Sequence, residues 1–293
     1  MSIEFKNVGY TYLKNTPFEN RVLKDVNFKI NEGEVVSIIG HTGSGKSTLV
    51  QLMNLLLKGF DGDIIIDSIN SKDKKVKLSE MRKNFGFSFQ YPEYQFFEET
   101  IYKDISFSLK IRGFSEEEIE RKIRYAMNMV SLDFNKYRDK NPFEISGGEK
   151  RRVSLASMLV LDPKYIILDE PTVGLDPKTC EEIILIIERL NKEFNKTIII
   201  VTHIMDLVFR LSNRVMLLNK GELIKFEDTY EFFNDKDMME KYLIEPPYLV
   251  ELNEKLKKMG INLETCPRNI NDMGNKLCEV LKNKREIKWL ITL

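Results

Sequence analysis

Gly40-His41-Thr42-Gly43-Ser44-Gly45-Lys46-Ser47 has the spacing G-x-x-x-x-G-K-[ST], a pattern that wraps phosphate. Glycines let backbone N–H groups close around a polyphosphate, and a helix starting behind them adds its positive end. Lys46 is then placed to reach the β- and γ-phosphates, and the Ser47 hydroxyl to ligate Mg2+. Such a loop needs a strand before it and a helix after it. Glu34-Val35-Val36-Ser37-Ile38-Ile39 reads as a buried strand, and Ser47 to Leu57 as a helix buried on most faces. A turn that merely caps a helix would not need both flanks. Residues Gly40, His41, Thr42, Gly43, Ser44, Gly45, Lys46, Ser47 and Thr48 are therefore expected to hold a nucleotide, with His41 at a variable position of no expected chemical role.

Four further stretches carry polar residues in telling positions. Tyr165-Ile166-Ile167-Leu168-Asp169-Glu170 is an apolar strand that ends in two carboxylates. Asp169 suits Mg2+, and Glu170 stands where it can orient and polarise an attacking water. Ser146-Gly147-Gly148-Glu149 has the spacing of a capping box. Its glycines also leave the backbone bare at a helix N-terminus, which suits close approach to a phosphate. The loop is too distant in sequence to wall the same pocket locally, and makes sense if it meets a γ-phosphate held by another subunit. Gly174-Leu175-Asp176-Pro177 follows the carboxylate pair, and His203 follows the run Ile198 to Thr202. An imidazole at that strand end is placed to hydrogen-bond a γ-phosphate.

The elements that position these residues show in the periodicity. Val26, Phe28 and Ile30 alternate with polar residues, and with Ile3 to Val8 and Gly62 to Asp67 suggest an antiparallel sheet beside the loop. Phe85 to Phe89 alternates too and ends at Gln90. From there to about residue 140 the pattern is helical, with Ser115-Glu116-Glu117-Glu118 as a capped start and Ile119, Ile123, Met127 and Val130 on one face. A helix over Glu149 to Leu161, a strand over Tyr165 to Leu168, a helix over Lys178 to Asn195, and strands at Ile198 to Val201 and Val215 to Leu218 complete the alternation. That order predicts a largely parallel sheet covered on both faces. After about Asp237 the character changes, Pro246-Pro247 interrupts the chain, and helices are expected at Tyr248 to Met259 and Asn271 to Lys282.

Composition narrows the partners. The 293 residues carry 45 lysines and arginines against 45 aspartates and glutamates, so no net charge points to nucleic acid, and none is expected as a partner. The first residues lack a basic stretch followed by an apolar one, so no signal peptide is expected. Apolar runs such as Thr197 to Thr202 are far too short to span a membrane, so a membrane role is expected to be peripheral. Cys180, Cys266 and Cys278 have no C-x-x-C spacing and read as reduced thiols.

Taken together and in this order, the stretches resemble the ATP-binding cassette (ABC) ATPases over roughly residues 1 to 236. The resemblance implies an α/β fold: a P-loop, RecA-like core with an antiparallel β subdomain, a helical subdomain at about 91–155, and a small, mainly helical C-terminal domain at 237–293. It places Lys46 and Ser47 in Walker A, and Asp169 and Glu170 in Walker B. It makes Gln90 the Q-loop glutamine, a catalytic and metal-shell residue, and His203 the switch histidine. Ser146, Gly147, Gly148 and Glu149 fall in the signature loop and Asp176 in the D-loop, both on the nucleotide. Tyr12, with Tyr10 close by as the alternative, falls where the family stacks an aromatic on adenine. The cofactors implied are ATP and Mg2+. The signature departs from the family's usual form, with Ile145 where leucine is common and Glu149 where glutamine is.

Within that family, Asn15 to Arg21, Gln90 to Ile101 at and after the Q-loop, Pro142-Phe143-Glu144 and the C-terminal segment resemble the ATPase subunits of energy-coupling factor (ECF) transporters, importers of vitamins or transition-metal ions. Phe18 and its neighbours resemble the second of the two ATPase paralogues. The resemblance implies a second ATPase subunit, paralogue or self, a transmembrane coupling protein, a small substrate-binding membrane protein, and a place on the cytoplasmic face of the membrane. Glu93, Glu98 and Glu99, beside Tyr94, Phe96 and Phe97, are then the expected docking groove, and the 237–293 domain is expected to help dimerise the ATPases. The rivals are an ATP-gated clamp on nucleic acid and the ATPase of another transporter type. Against the clamp, Gln90 to Ser146 is too short for a coiled coil and lacks heptads.

Overall fold

Alternation decides the first layer. The computed structural model describes residues 2–89, 91 and 94–291, of which 283–291 are described as backbone only. In β1 (Ser2–Tyr12) and β2 (Asn20–Asn31), Ile3, Phe5, Val8, Val26, Phe28 and Ile30 point inward and are buried. Next come β3 (Val35–Ile39), buried throughout, and α1 (Lys46–Met53). β4 (Asp61–Ile66) and β5 (Ile69–Asn70) return to the first layer, a four-stranded sheet of order β2-β1-β4-β5 in which β1 runs antiparallel to both neighbours.

After α2 (Leu78–Arg82) and β6 (Phe85–Ser88) the chain becomes helical, with α3 (Ile101–Ile111), α4 (Glu116–Met129), α5 (Phe134–Tyr137) and α6 (Gly147–Leu159). The Ser115–Glu118 capping box at α4 forms as its spacing predicts. Asp104, buried on α3, accepts from the N–H groups of Phe97 and Glu98 and so fixes the turn before the helix. Then follow β7 (Tyr165–Asp169), α7 (Pro177–Lys192), β8 (Thr197–Val201), α8 (Met205–Leu211), β9 (Arg214–Asn219) and β10 (Glu222–Asp228). The second sheet is six-stranded, of order β10-β9-β3-β8-β7-β6, with β3, β8, β7 and β6 mutually parallel. β3 and β8 are buried at every position, as strands covered on both faces require. The chain closes with α9 (Thr229–Asn234), α10 (Lys236–Lys241), α11 (Tyr248–Lys258) and α12 (Ile270–Ile291).

Two helices differ from their sequence patterns. The helix after the glycine loop stops at Met53, because Leu55 takes a left-handed backbone at φ 58 and Leu56 turns out to solvent. At the other end α12 runs nine residues past Lys282, where the apolar spacing gave no reason to extend it. By contact the chain falls into two compact units, residues 1–203 with 216–226, and residues 204–215 with 227–293. The second unit therefore includes α8 as well as α9 to α12. Among the described residues no helix is long and apolar enough to cross a membrane.

Candidate functional site

The glycine loop turns between the end of β3 and α1. Gly40 has φ 145, and a Cβ there would collide with the Leu218 carbonyl oxygen, so only glycine lets the loop lie against β9. Gly45 caps α1 at φ 105 in the left-handed region. The Gly221 N–H donates to the Ser44 carbonyl at 3.0 Å, which ties the loop to the β9–β10 turn. The Lys46 ammonium donates to the carbonyls of Gly40 at 2.6 Å and His41 at 3.0 Å, arching back over the loop. Burial pulls its pKa down, while the charges of Glu170 and Asp169 work against that shift. Tyr10 is buried, whereas Tyr12 is half-exposed, packs edge-on against it at 4.8 Å, and places its hydroxyl 3.3 Å from Thr48 Oγ1. Of the two tyrosines, Tyr12 is the one with ring surface left beside the loop.

Asp169 closes β7, and Glu170 follows with φ 46, an uncommon backbone for a long side chain. Three contacts from β8 and the residues just after it help hold Glu170. Its N–H donates to the Val201 carbonyl at 2.8 Å, the Thr202 hydroxyl donates to Oε2 at 3.0 Å, and His203 Nδ1 lies 2.6 Å from Oε1. With Nδ1–H given to the carboxylate, Nε2 is left as the imidazole's other functional atom, and the ring is 71% exposed. Burial and then the Glu170 charge push the Asp169 carboxyl up, opposed by Lys46 and Arg151. Lys46, Asp169, Glu170 and His203 thus share one electrostatic neighbourhood. The Asp169 carboxylate and the Ser47 hydroxyl have no hydrogen-bond partner among the described residues, and no cluster of three or more His, Cys, Asp or Glu is formed there. One carboxylate and one hydroxyl are hard oxygen donors that suit Mg2+ carried in on nucleotide phosphates. Gln90, expected here from the sequence, lies outside the described residues.

The Ser146 loop is built from its own chain. Its hydroxyl accepts from the Glu149 N–H at 3.3 Å while Glu149 Oε2 accepts from the Ser146 N–H at 2.8 Å, a complete capping box. The second carboxylate oxygen accepts from the Tyr137 hydroxyl at 2.5 Å. With Tyr137 as the largest cause, the Glu149 carboxyl is lowered to about 2. Gly147 has open space where a Cβ would sit, but a Cβ on Gly148 would run into Thr179 Cγ2. The first glycine therefore leaves the backbone bare, and the second lets α6 pack against α7. Asp176 caps α7, with Oδ1 accepting from the Lys178 and Thr179 N–H groups at 3.1 Å and Oδ2 from the Thr179 hydroxyl at 2.5 Å. No hydrogen bond among the described residues joins residues 146–149 to residues 40–48.

In the segment expected to dock a partner, Tyr94 is 82% exposed and Phe97 and Phe107 pack edge-on at 4.7 Å with both rings open to solvent. Phe96 is instead buried, because the turn held by Asp104 directs it into the helical layer. Glu99 is engaged by Lys103 at 2.8 Å, and Glu93 lies outside the described residues. Three contributors were not read from the sequence. Thr202 is a lone hydroxyl at the end of an apolar strand, Tyr137 lies on a four-residue helix, and Arg151 is a buried member of the basic run that follows Glu149.

The ABC transporter family model matches residues 23–173. The energy-coupling factor transporter ATP-binding protein EcfA2 of Clostridium tetani is 48% identical over 284 residues, covering 97% of this chain and 99% of that one. Among solved structures, cbiO1 from Clostridium perfringens, part of the ABC transporter complex cbiONQ, aligns with a TM-score of 0.73 at 32% identity, over 88% of this chain and 96% of that one. The dimeric post-hydrolysis ATP-binding cassette MJ0796, bound to ADP and Pi, aligns with a TM-score of 0.68 at 33% identity, over 78% of this chain and 98% of that one.

Proposed function

The chain belongs to the ABC transporter family, as the second of the paired ATPase subunits of energy-coupling factor transporters, and from that premise we propose how its residues perform the work. It binds nucleotide, hydrolyses ATP, and so energises an importer whose membrane subunits it joins alongside a second ATPase. In the proposed arrangement each ATP lies between the glycine loop of one subunit and the Ser146 loop of the other. Closure excludes water and completes the site, so preorganised charge and positioning supply most of the acceleration.

Within one subunit the roles divide by chemistry. Backbone N–H groups from Gly40 to Thr48 surround the phosphates, and Lys46 swings from its own loop carbonyls onto the terminal phosphates. The Tyr12 ring faces the base. Glu170 orients the attacking water and accepts its proton as the water oxygen bonds to the γ-phosphorus and the β–γ bridging P–O bond breaks, releasing ADP and phosphate. His203, with both ring nitrogens protonated, donates Nδ1–H to Glu170 and Nε2–H to the γ-phosphate. Ser47 and Asp169, completed by Gln90, would hold Mg2+, which when bound neutralises phosphate charge. Bare backbone at Gly147, with Ser146 and Gly148, receives the γ-phosphate of the other subunit's nucleotide, and Glu149 and Asp176 shape the loops that present it. The exposed aromatics at 94, 97 and 107 face the membrane coupling protein, and residues 237–293 help hold the two ATPases together. A small substrate-binding membrane protein completes the assembly, and this chain lies on the cytoplasmic face of the membrane.

The observation that carries this proposal is Glu170, held by Thr202 and His203 in the electrostatic neighbourhood of Lys46. Glu170→Gln, measured in the complete transporter complex, is expected to bind ATP with unchanged affinity and to lose at least ~100-fold in kcat. Near-normal turnover would remove Glu170 from this role.

A further inference from the structure

Arg151 is 2% exposed and is among the largest fully buried side chains of the molecule. A guanidinium cannot lose its charge, so burial demands acceptors fixed in space. Nη1 donates to the Phe89 carbonyl at 2.7 Å and Nη2 to the Glu170 carbonyl at 3.0 Å. Both acceptors are backbone, and each directly follows a strand of the second sheet, β6 and β7. Phe89 immediately precedes Gln90. The next residue, Arg152, pairs instead with Glu182 of α7 at 3.3 Å.

The Glu170 contact matters because of the backbone there. A long side chain at φ 46 is costly and persists only where its surroundings over-determine it. The contacts from Val201, Thr202 and His203 come from β8 and the two residues after it. Arg151 brings in a different element, α6, whose first residue is Gly147 of the glycine pair. From Ser146 to Arg151 is five residues of one helix, about 7.5 Å along its axis, too short a lever to bend.

We propose that Arg151 is a positioning residue that ties the Ser146 loop to Glu170, so that engagement of the loop by one nucleotide sets the water-orienting carboxylate at this chain's own. The proposal rests on the assignment of Glu170 given above. It makes α6 a rigid link between the two nucleotide sites of an ATPase pair, with a forked cation as its joint. Lysine keeps the charge but lacks the two nitrogens held apart in one rigid plane, each of which here meets a carbonyl on a different strand end.

The test uses the complete transporter complex. Arg151→Lys and Arg151→Gln are each combined with Ser146→Ala in a double-mutant cycle, with Glu170→Gln measured alongside. Arg151→Lys is expected to lower kcat about tenfold while the KM for ATP stays within about twofold. Adding Ser146→Ala to either Arg151 variant is expected to cost much less than it does in the wild type, since the link is already cut. Additive losses, or a normal kcat in Arg151→Lys beside an inert Glu170→Gln, would overturn the link and leave the site assignment standing. Full turnover in Glu170→Gln would instead overturn the site assignment. If both Arg151 variants lose ATP binding and assembly together, Arg151 is a core residue and the proposal fails.

Discussion

Glu149 shows how a charged side chain can replace a family's usual residue and keep its charge within its own chain. Both its oxygens are engaged, one by the Tyr137 hydroxyl and one by the Ser146 N–H, so its charge is directed into its own chain. Its folded pKa of about 2 lies below the ordinary 4.5, so the charged form is bound better in the folded state than in the unfolded one. The contribution is therefore complete above about pH 4.5 and fades as pH falls toward 2. Glu149→Gln is expected to lower the urea midpoint at pH 7, with the gap to wild type narrowing steadily below pH 4.5. Tyr137→Phe should move the Glu149 carboxyl back up, as an NMR pH titration of that side chain would report. An unchanged titration would mean that the capping box alone holds the carboxylate. At this scale the sequence showed the members that follow a spacing rule, such as Lys46, Asp169 and Ser146. Thr202, Tyr137 and Arg151 were invisible because their partners are 32, 12 and 19 residues away and join only when the chain folds.

The elements were legible wherever a period or a cap governed them. β1, β2 and β4 follow alternation, α4 follows its capping box, and β3, β7 and β8 follow unbroken apolar runs. The end of α1 was not legible, because Leu55 and Leu56 continue an apolar pattern that a left-handed backbone terminates. Nor was the burial of Phe96, which depends on Asp104 reaching back seven residues to the Phe97 N–H. The two glycines before Glu149 look equivalent in sequence, yet only Gly148 touches a neighbouring helix. A methyl group there would strike Thr179 Cγ2 on α7, and overpacking of this kind costs about 1–3 kcal/mol. Gly148→Ala should therefore lower the melting temperature and impair hydrolysis, and adding Thr179→Ser, which removes that methyl, should restore much of both. Gly147→Ala, with nothing within 4 Å, should leave stability nearly unchanged. If Thr179→Ser gives no rescue, the role of Gly148 lies in backbone freedom and not in the contact with α7.

As a whole, the molecule must convert a local event at phosphate into movement of membrane subunits, although no helix of its own among the described residues is long and apolar enough to cross a bilayer. The transfer has to pass through a surface, and the segment after β6 carries the right chemistry for one. Tyr94, Phe97 and Phe107 expose aromatic rings in this segment, Phe97 and Phe107 packed edge-on, and Glu98 follows Phe97 in the chain. Buried aromatics flanked by charge-assisted contacts are the anchors that dominate such interfaces. The position also suits the task, since the same segment begins one residue after Phe89, whose carbonyl Arg151 holds. Tyr94→Ala with Phe97→Ala should then leave ATP binding by the purified subunit intact while weakening its capture by detergent-solubilised membrane partners. Truncation of one anchor of this kind costs about 2 kcal/mol, or about thirtyfold in affinity. Pull-down of the tagged double variant, beside isothermal titration with ATP, separates the two effects. Full recovery of the membrane subunits with the double variant would move the docking surface elsewhere on the chain. Loss of ATP binding together with capture would mean that the substitutions had damaged the fold and not the interface.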